Sequence, residues 1–241
     1  MAPQSDPQVT GLPAYSTPGA VSEGAVHGFM RQVFLWMFLA LGITTAVAAY
    51  VASTSNISDY INTHPQFMWV LFAAQIGLVL GLSFLFNKIS ASVATFLFIV
   101  YAGLTGVVFS VLLEVYSTGS IVGAFAGATG VFAGMALYGV FTKRDLTGLA
   151  PVLFGALMGF FVASIAFVFI GGSTFNLILG WAGVLIFSLL TAYDMQKIKQ
   201  IGESGLEQGE QAQKLAIFGA LALYLDFINL FISLLRIFGR N

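Results

Sequence analysis

Seven long apolar runs, separated by short polar stretches, dominate the pattern along the chain, at approximately 33–52, 67–86, 91–113, 119–141, 149–171, 175–198 and 215–238. The runs are continuous, whereas the strands of a membrane β-barrel alternate apolar and polar positions. Each is about twenty residues long, and a helix rising roughly 1.5 Å per residue needs that length to cross roughly 30 Å of hydrocarbon. Backbone amides in hydrocarbon must be paired inside their own segment, so the pattern predicts seven membrane-spanning α-helices. Connections such as Asn87-Lys88-Ile89-Ser90 and Gly171-Gly172-Ser173-Thr174 are too short for anything but antiparallel neighbours. The expected architecture is a single all-α bundle over residues 29–241.

Residues 1–28 lack an apolar period and are rich in Pro, Ser, Gly and Gln, with Asp6 and Glu23 their only acids. That composition predicts a disordered N-terminal tail. A cleaved signal peptide is the competing reading, since Arg31 precedes the first run and Val47-Ala48-Ala49 is a passable cleavage site. The first run is long enough to span, however, and its leader is long and nearly uncharged, so retention is expected. Orientation follows from the basic residues in alternate loops. Arg31, Lys88, Lys143, Arg144, Lys197, Lys199 and Lys214 fall on one side, which places the N-terminus in the cytoplasm. Seven full spans put the C-terminus on the other side, where Arg236 and Arg240 run against the rule. A re-entrant last segment is the alternative.

Composition narrows the chemistry. Charged residues make up 8% of the chain, so an ionisable group inside a span stands out. The net charge of −1 and the absence of a basic stripe exclude a nucleic-acid partner. With no cysteine, disulfides, thiolate metal sites and cysteine nucleophiles are excluded too. Gly119, Gly123 and Gly127 recur every fourth residue, followed by Gly130 and Gly134, and read as close helix packing through small faces. Trp36, Trp69 and Trp181 read as lipid-facing or interfacial.

Asp226 lies about eleven residues into the last run, roughly 16 Å deep, near the bilayer midplane. An ionised carboxylate there costs several kcal/mol unless it finds a partner, water or a proton, which makes it a functional candidate. Asn229 and Ser233 fall at i+3 and i+7 and extend a polar stripe on its face. Asp194 lies late in the sixth run, with Thr191 one turn earlier. Counted from Phe175 it sits near the cytoplasmic boundary, roughly one or two turns from the depth of Asp226, so spacing alone leaves a solvated boundary residue open. Gln75 could supply an inward hydrogen bond or simply join helices, and Glu114 ends the third run as an interfacial acid or a cation-collecting mouth. Lys88 is an anchor at the inner boundary. His27 and His64 lie too far from any carboxylate cluster to suggest a metal site. No Ser-His-Asp arrangement or phosphate loop is present, and no enzymatic activity is expected.

Three stretches carry a resemblance to a known family: Thr142-Lys143-Arg144-Asp145-Leu146, Leu190-Thr191-Ala192-Tyr193-Asp194-Met195-Gln196-Lys197, and Leu223-Tyr224-Leu225-Asp226-Phe227-Ile228-Asn229-Leu230-Phe231. They resemble the Bax inhibitor motif family of membrane proteins, in particular its bacterial inner-membrane members, over roughly residues 28–240. The resemblance implies a seven-helix fold with the last helix surrounded by the other six, and a pH-sensitive calcium leak gated by an aspartate pair. Motif matching puts that pair at Asp194 and Asp226. Some members add an arginine near the inner end of the second helix that bonds the aspartates. Leu85-Phe86-Asn87-Lys88 stands there in this chain, so the clamp is absent or replaced by Lys88.

Two carboxyls in a low-dielectric site would share one proton and titrate as a unit. Calcium, which seeks several oxygens, would favour the doubly ionised form, so its binding is expected to weaken as pH falls. Calcium is then the transported or bound ion, no other cofactor is implied, and the partners are the lipid bilayer, calcium and protons. A regulator of a membrane protease or of a stress-signalling partner is the second reading. An intramembrane aspartyl protease is a third, weakened because residues 223–226 read Leu-Tyr-Leu-Asp where that class has Gly-x-Gly-Asp.

Overall fold

The computed structural model describes residues 23–54, 60, 63–64, 66–204 and 209–239. Among them the chain forms seven long helices and no strand: α1 (Glu23–Ser53), α2 (Gln66–Phe84), α3 (Ala91–Val115), α4 (Thr118–Phe141), α5 (Ala150–Ile170), α6 (Ser173–Glu203) and α7 (Glu210–Phe238). Each is long and apolar enough to cross a membrane. Local chemistry sets several ends. Ser90 and Ser117 cap α3 and α4 by accepting the amides of Val93 and Ser120. Gly171 and Gly172, at φ 65° and 98°, make the tight turn between α5 and α6 that residues with a Cβ rarely adopt.

Helix α1 begins at Glu23, within the stretch read as tail, while residues 1–22 lie outside the described residues. The early start has a packing reason. Val26 and Phe29 lie against Gly202, where a Cβ would meet them at 3.2 and 3.4 Å. Helix α7 is an uninterrupted 29-residue helix with no break for a re-entrant turn. Arg236 is a helix residue there, half-buried, with its guanidinium 5.9 Å from the centre of the Phe167 ring. Arg240 lies outside the described residues.

Helix α7 is central. Its main contacts are with α1, α3, α4 and α6, whereas α2 packs on α3 and α5 on α6 at the periphery. The expectation of a last helix ringed by all six others is thus refined to a ring of four with two outriders. In lipid, helices associate through close packing rather than water exclusion, so small residues decide where they meet. A Cβ at Gly106 would lie 2.7 Å from the Thr44 carbonyl, which brings α1 onto α3. Gly139 plays the same part between α4 and α6, against the backbone of Ala192. Of the glycine series expected to pack, Gly123 and Gly127 face Phe238 and Leu234 of α7, while Gly130 and Gly134 have nothing within 4 Å of a Cβ. Regular spacing identified the helix but not which glycines lie at a seam. Trp69 and Trp181 are exposed on the outer surface, and Trp36 packs half-buried against the core.

Candidate functional site

Glycines on α6 and α7 fix the relative height of the two aspartates. A Cβ at Gly180 would meet Ile237, one at Gly183 would meet Ser233, and one at Gly219 would meet Ile198. These three contacts define one antiparallel register, in which Asp194 is level with about residue 223 and less than one turn from Asp226. The Cα–Cβ bonds of a helix tilt toward its N-terminus, and α6 and α7 run in opposite directions. Asp194 therefore leans deeper into the bundle and Asp226 leans back toward it. The depth difference of one or two turns expected from counting thus closes, and the two carboxyls lie within hydrogen-bonding reach of each other.

The two members differ in exposure. Asp226 is 4% exposed and its Oδ2 has no hydrogen-bond partner, whereas Asp194 is half-buried with the Lys197 ammonium in electrostatic reach. A fully buried carboxyl with an unpartnered oxygen, facing a second carboxyl, is the arrangement that a proton or a cation satisfies. Among the described residues no group of three or more acidic, histidine or cysteine side chains gathers at one place. The two carboxylates alone supply fewer than the roughly six to eight oxygens that calcium takes.

The other residues singled out from the sequence spend their polar groups elsewhere. Thr191 is fully buried and donates to the Phe187 carbonyl at 2.7 Å. Asn229 donates to Leu225 O at 2.8 Å and Ser233 to Asn229 O at 2.6 Å, so the stripe on α7 is bonded to its own helix. Gln75 donates to Thr105 Oγ1 at 3.1 Å, joining α2 to α3. Lys88 is exposed in the α2–α3 turn rather than buried with the dyad, in a polar cleft it shares with Glu210, Gln211 and Lys214. Glu114 is exposed at the end of α3, and His27 is exposed on α1. His64 stacks on Tyr60, with ring centres 4.3 Å apart.

Several fastening residues were missed. Lys214 donates to the carbonyls of Phe86 and Ile89 at 2.8 and 2.7 Å, and Glu210 accepts the amide of Ala91 at 3.2 Å, so the start of α7 clamps the α2–α3 turn. Gln196, two residues beyond Asp194, accepts from Leu146 N and donates to Arg144 O, both at 2.8 Å. It pins the basic loop beside the dyad. The sequence signal for Gln196 was its place in the Asp194 motif, which says nothing of the loop it braces. A third group centres on Tyr224, whose hydroxyl is 2.7 Å from Thr44 Oγ1. Thr44 also donates to Ala102 O at 3.0 Å, and Thr105 lies within reach of the same tyrosine.

The chain matches the profile of the family described as "Inhibitor of apoptosis-promoting Bax1" over residues 26–241. It is 42% identical over 214 residues to the inner membrane protein YbhL of Escherichia coli K12, covering 88% of this chain and 92% of that protein. An uncharacterized protein of Deinococcus radiodurans is 39% identical, over 88% of this chain and 90% of its own length. An uncharacterized membrane protein of Streptococcus pyogenes is 35% identical, over 88% and 94%.

Proposed function

This chain belongs to the family of inhibitors of apoptosis-promoting Bax1, and from that premise we propose that it is a pH-sensitive calcium leak of the bacterial inner membrane, gated by Asp194 and Asp226. The observation that supports the reading most is the buried Asp226 carboxyl, its Oδ2 unpartnered, facing the Asp194 carboxyl inside a bundle of spanning helices. Leaving such a group unsatisfied costs about 1–3 kcal/mol, and more if it is charged, so the pair has reason to hold a proton when no cation is present.

Protons and calcium compete for the same oxygens. At high pH both carboxyls ionise and a divalent cation relieves their repulsion. As pH falls a shared proton replaces it, and calcium occupancy drops. The protein binds and passes an ion and makes or breaks no covalent bond. Asp194, half-exposed toward the end of the bundle that carries Lys197 and Lys199, is the member an ion meets first from that side, and Asp226 the deeper one.

The test is calcium flux in liposomes loaded with a calcium dye. Flux through the unsubstituted protein should vary with pH, and Asp226→Asn and Asp194→Asn should each abolish that variation. An unchanged leak with unchanged pH dependence in both variants refutes the mechanism.

A further inference from the structure

Between α1 and α4 the bundle does not close. Each packs on α6 and α7, yet the two make no substantial contact with each other. A cavity of about 1090 Å³ lies between them, floored by Phe227, Ile228 and Phe231 of α7. Its walls run from Phe34 to Ala49 on α1 and from Ile121 to Leu137 on α4. That is roughly 22 Å along the helix axis, against roughly 15 Å for the hydrocarbon of one leaflet.

The lining determines what can occupy it. Its threonine hydroxyls are already spent: Thr44 on Tyr224 and Ala102 O, Thr45 on Leu41 O at 2.9 Å, and Thr129 on Phe125 O at 2.8 Å. Water entering would forfeit hydrogen bonds and an ion would find no ligand. An empty cleft of this size would forfeit dispersion contacts along its whole length. The rim residues Phe38, Val122, Phe125 and Leu137 are exposed, so the cleft is continuous with the surface that meets the bilayer. Exposed apolar side chains also cover α2 and α5, so nothing marks this face as a seat for a second protein.

We infer that the cleft binds the acyl chains of a membrane phospholipid, which enter sideways between α1 and α4 and rest on α7. At about 1090 Å³, and longer than the hydrocarbon of one leaflet, the cleft has room for acyl chains lying along it. The floor begins at Phe227, the residue after Asp226, so the tails complete the wall behind the dyad helix on the side away from α6.

Tryptophan quenching by phospholipids with brominated acyl chains tests this. With Trp36, Trp69 and Trp181 replaced by Phe, Phe231→Trp reports on the floor and Phe98→Trp, at a site 1% exposed, on the sealed core. A variant keeping only Trp181 reports on the lipid-facing surface. The floor reporter should show most of the quenching seen at Trp181, and the core reporter little. A Cβ at Gly42 meets nothing within 4 Å, so Gly42→Phe fills the cleft without displacing backbone. It should cut quenching at Phe231→Trp and leave that at Trp181 unchanged. A floor reporter quenched no more than Phe98→Trp, or one indifferent to Gly42→Phe, overturns the inference. So does quenching that emerges only when the protein is diluted in lipid, because a second copy then fills the cleft. Native mass spectrometry provides an arm free of tryptophan changes: Gly42→Phe should lose one retained phospholipid relative to the unsubstituted protein, and equal retention counts against the site.

Discussion

Tyr224 and Asp226 stand two residues apart on α7, both buried, and face opposite sides of it. On the side of α1 and α3, the hydroxyls of Thr44, Thr105 and Tyr224 each find a partner, and Gln75 extends the network to α2. On the side of α6, Asp226 keeps an unpartnered oxygen and meets another carboxyl. A satisfied polar network in a low-dielectric interior rigidifies its surroundings. An unsatisfied one is left with alternatives such as a proton, a cation or a shifted helix. One face of the central helix has its polar groups bonded across three helices, and the other leaves a buried carboxyl oxygen open, the asymmetry on which the proposed gating rests.

The contrast can be broken most severely at the dyad. Beyond the flux test of the two Asn variants, the pair can be parted without touching a carboxyl. Gly139 abuts the Ala192 backbone two residues from Asp194, and backbone cannot yield as a side-chain tip can. Gly139→Leu should wedge α4 from α6, cost about 3 kcal/mol by overpacking, and shift the pH response of calcium flux. Thermal unfolding in detergent and liposome flux measure the two effects. On the satisfied face, Tyr224→Phe removes one hydroxyl while Thr44 keeps Ala102 O. It should cost about 1 kcal/mol and leave the pH response where it was. A shift as large as that of Gly139→Leu would erase the distinction between the faces.

The smallest effect is expected outside the membrane, at Asp145. Its side chain accepts the hydroxyl and the amide of Thr147, at 2.6 and 2.9 Å, at the entry to α5. Those bonds hold its carboxyl below the ordinary value of 3.8. A depressed pKa contributes stability at pH above the ordinary value, and the contribution is lost as pH falls through the folded value. Asp145→Asn should remove a slight acid-side loss of stability and speed hydrogen exchange at the Thr147 amide, with the dyad's pH response unaltered.

Much of this was legible because lipid imposes a simple rule. The seven runs correspond to the seven helices since each must satisfy its own backbone. The ends were less legible. Helix α1 reaches back to Glu23 because Val26 and Phe29 find Gly202, a contact 173 or more residues away that no local window contains. Asp226 stood out as a charge in a greasy run, but Asp194 was joined to it only by the motif resemblance, since its depth depends on how α6 slides along α7. Asn229, on the face of Asp226, bonds within its own helix, and Lys88 lies exposed in the α2–α3 turn. Polar groups in helices bond first to what is nearest, and for Asn229 that is the carbonyl one turn back.

Sequence by itself determined the number of spanning helices, their antiparallel order and the presence of a carboxyl deep in the last one, because burial in hydrocarbon leaves one backbone solution per segment. Tertiary structure alone decided the register set by Gly180, Gly183 and Gly219 that brings Asp194 to Asp226, and the gap between α1 and α4. Both depend on contacts between surfaces distant in the chain, where the close approach of a few glycines, or its absence, outweighs any periodicity along a single helix.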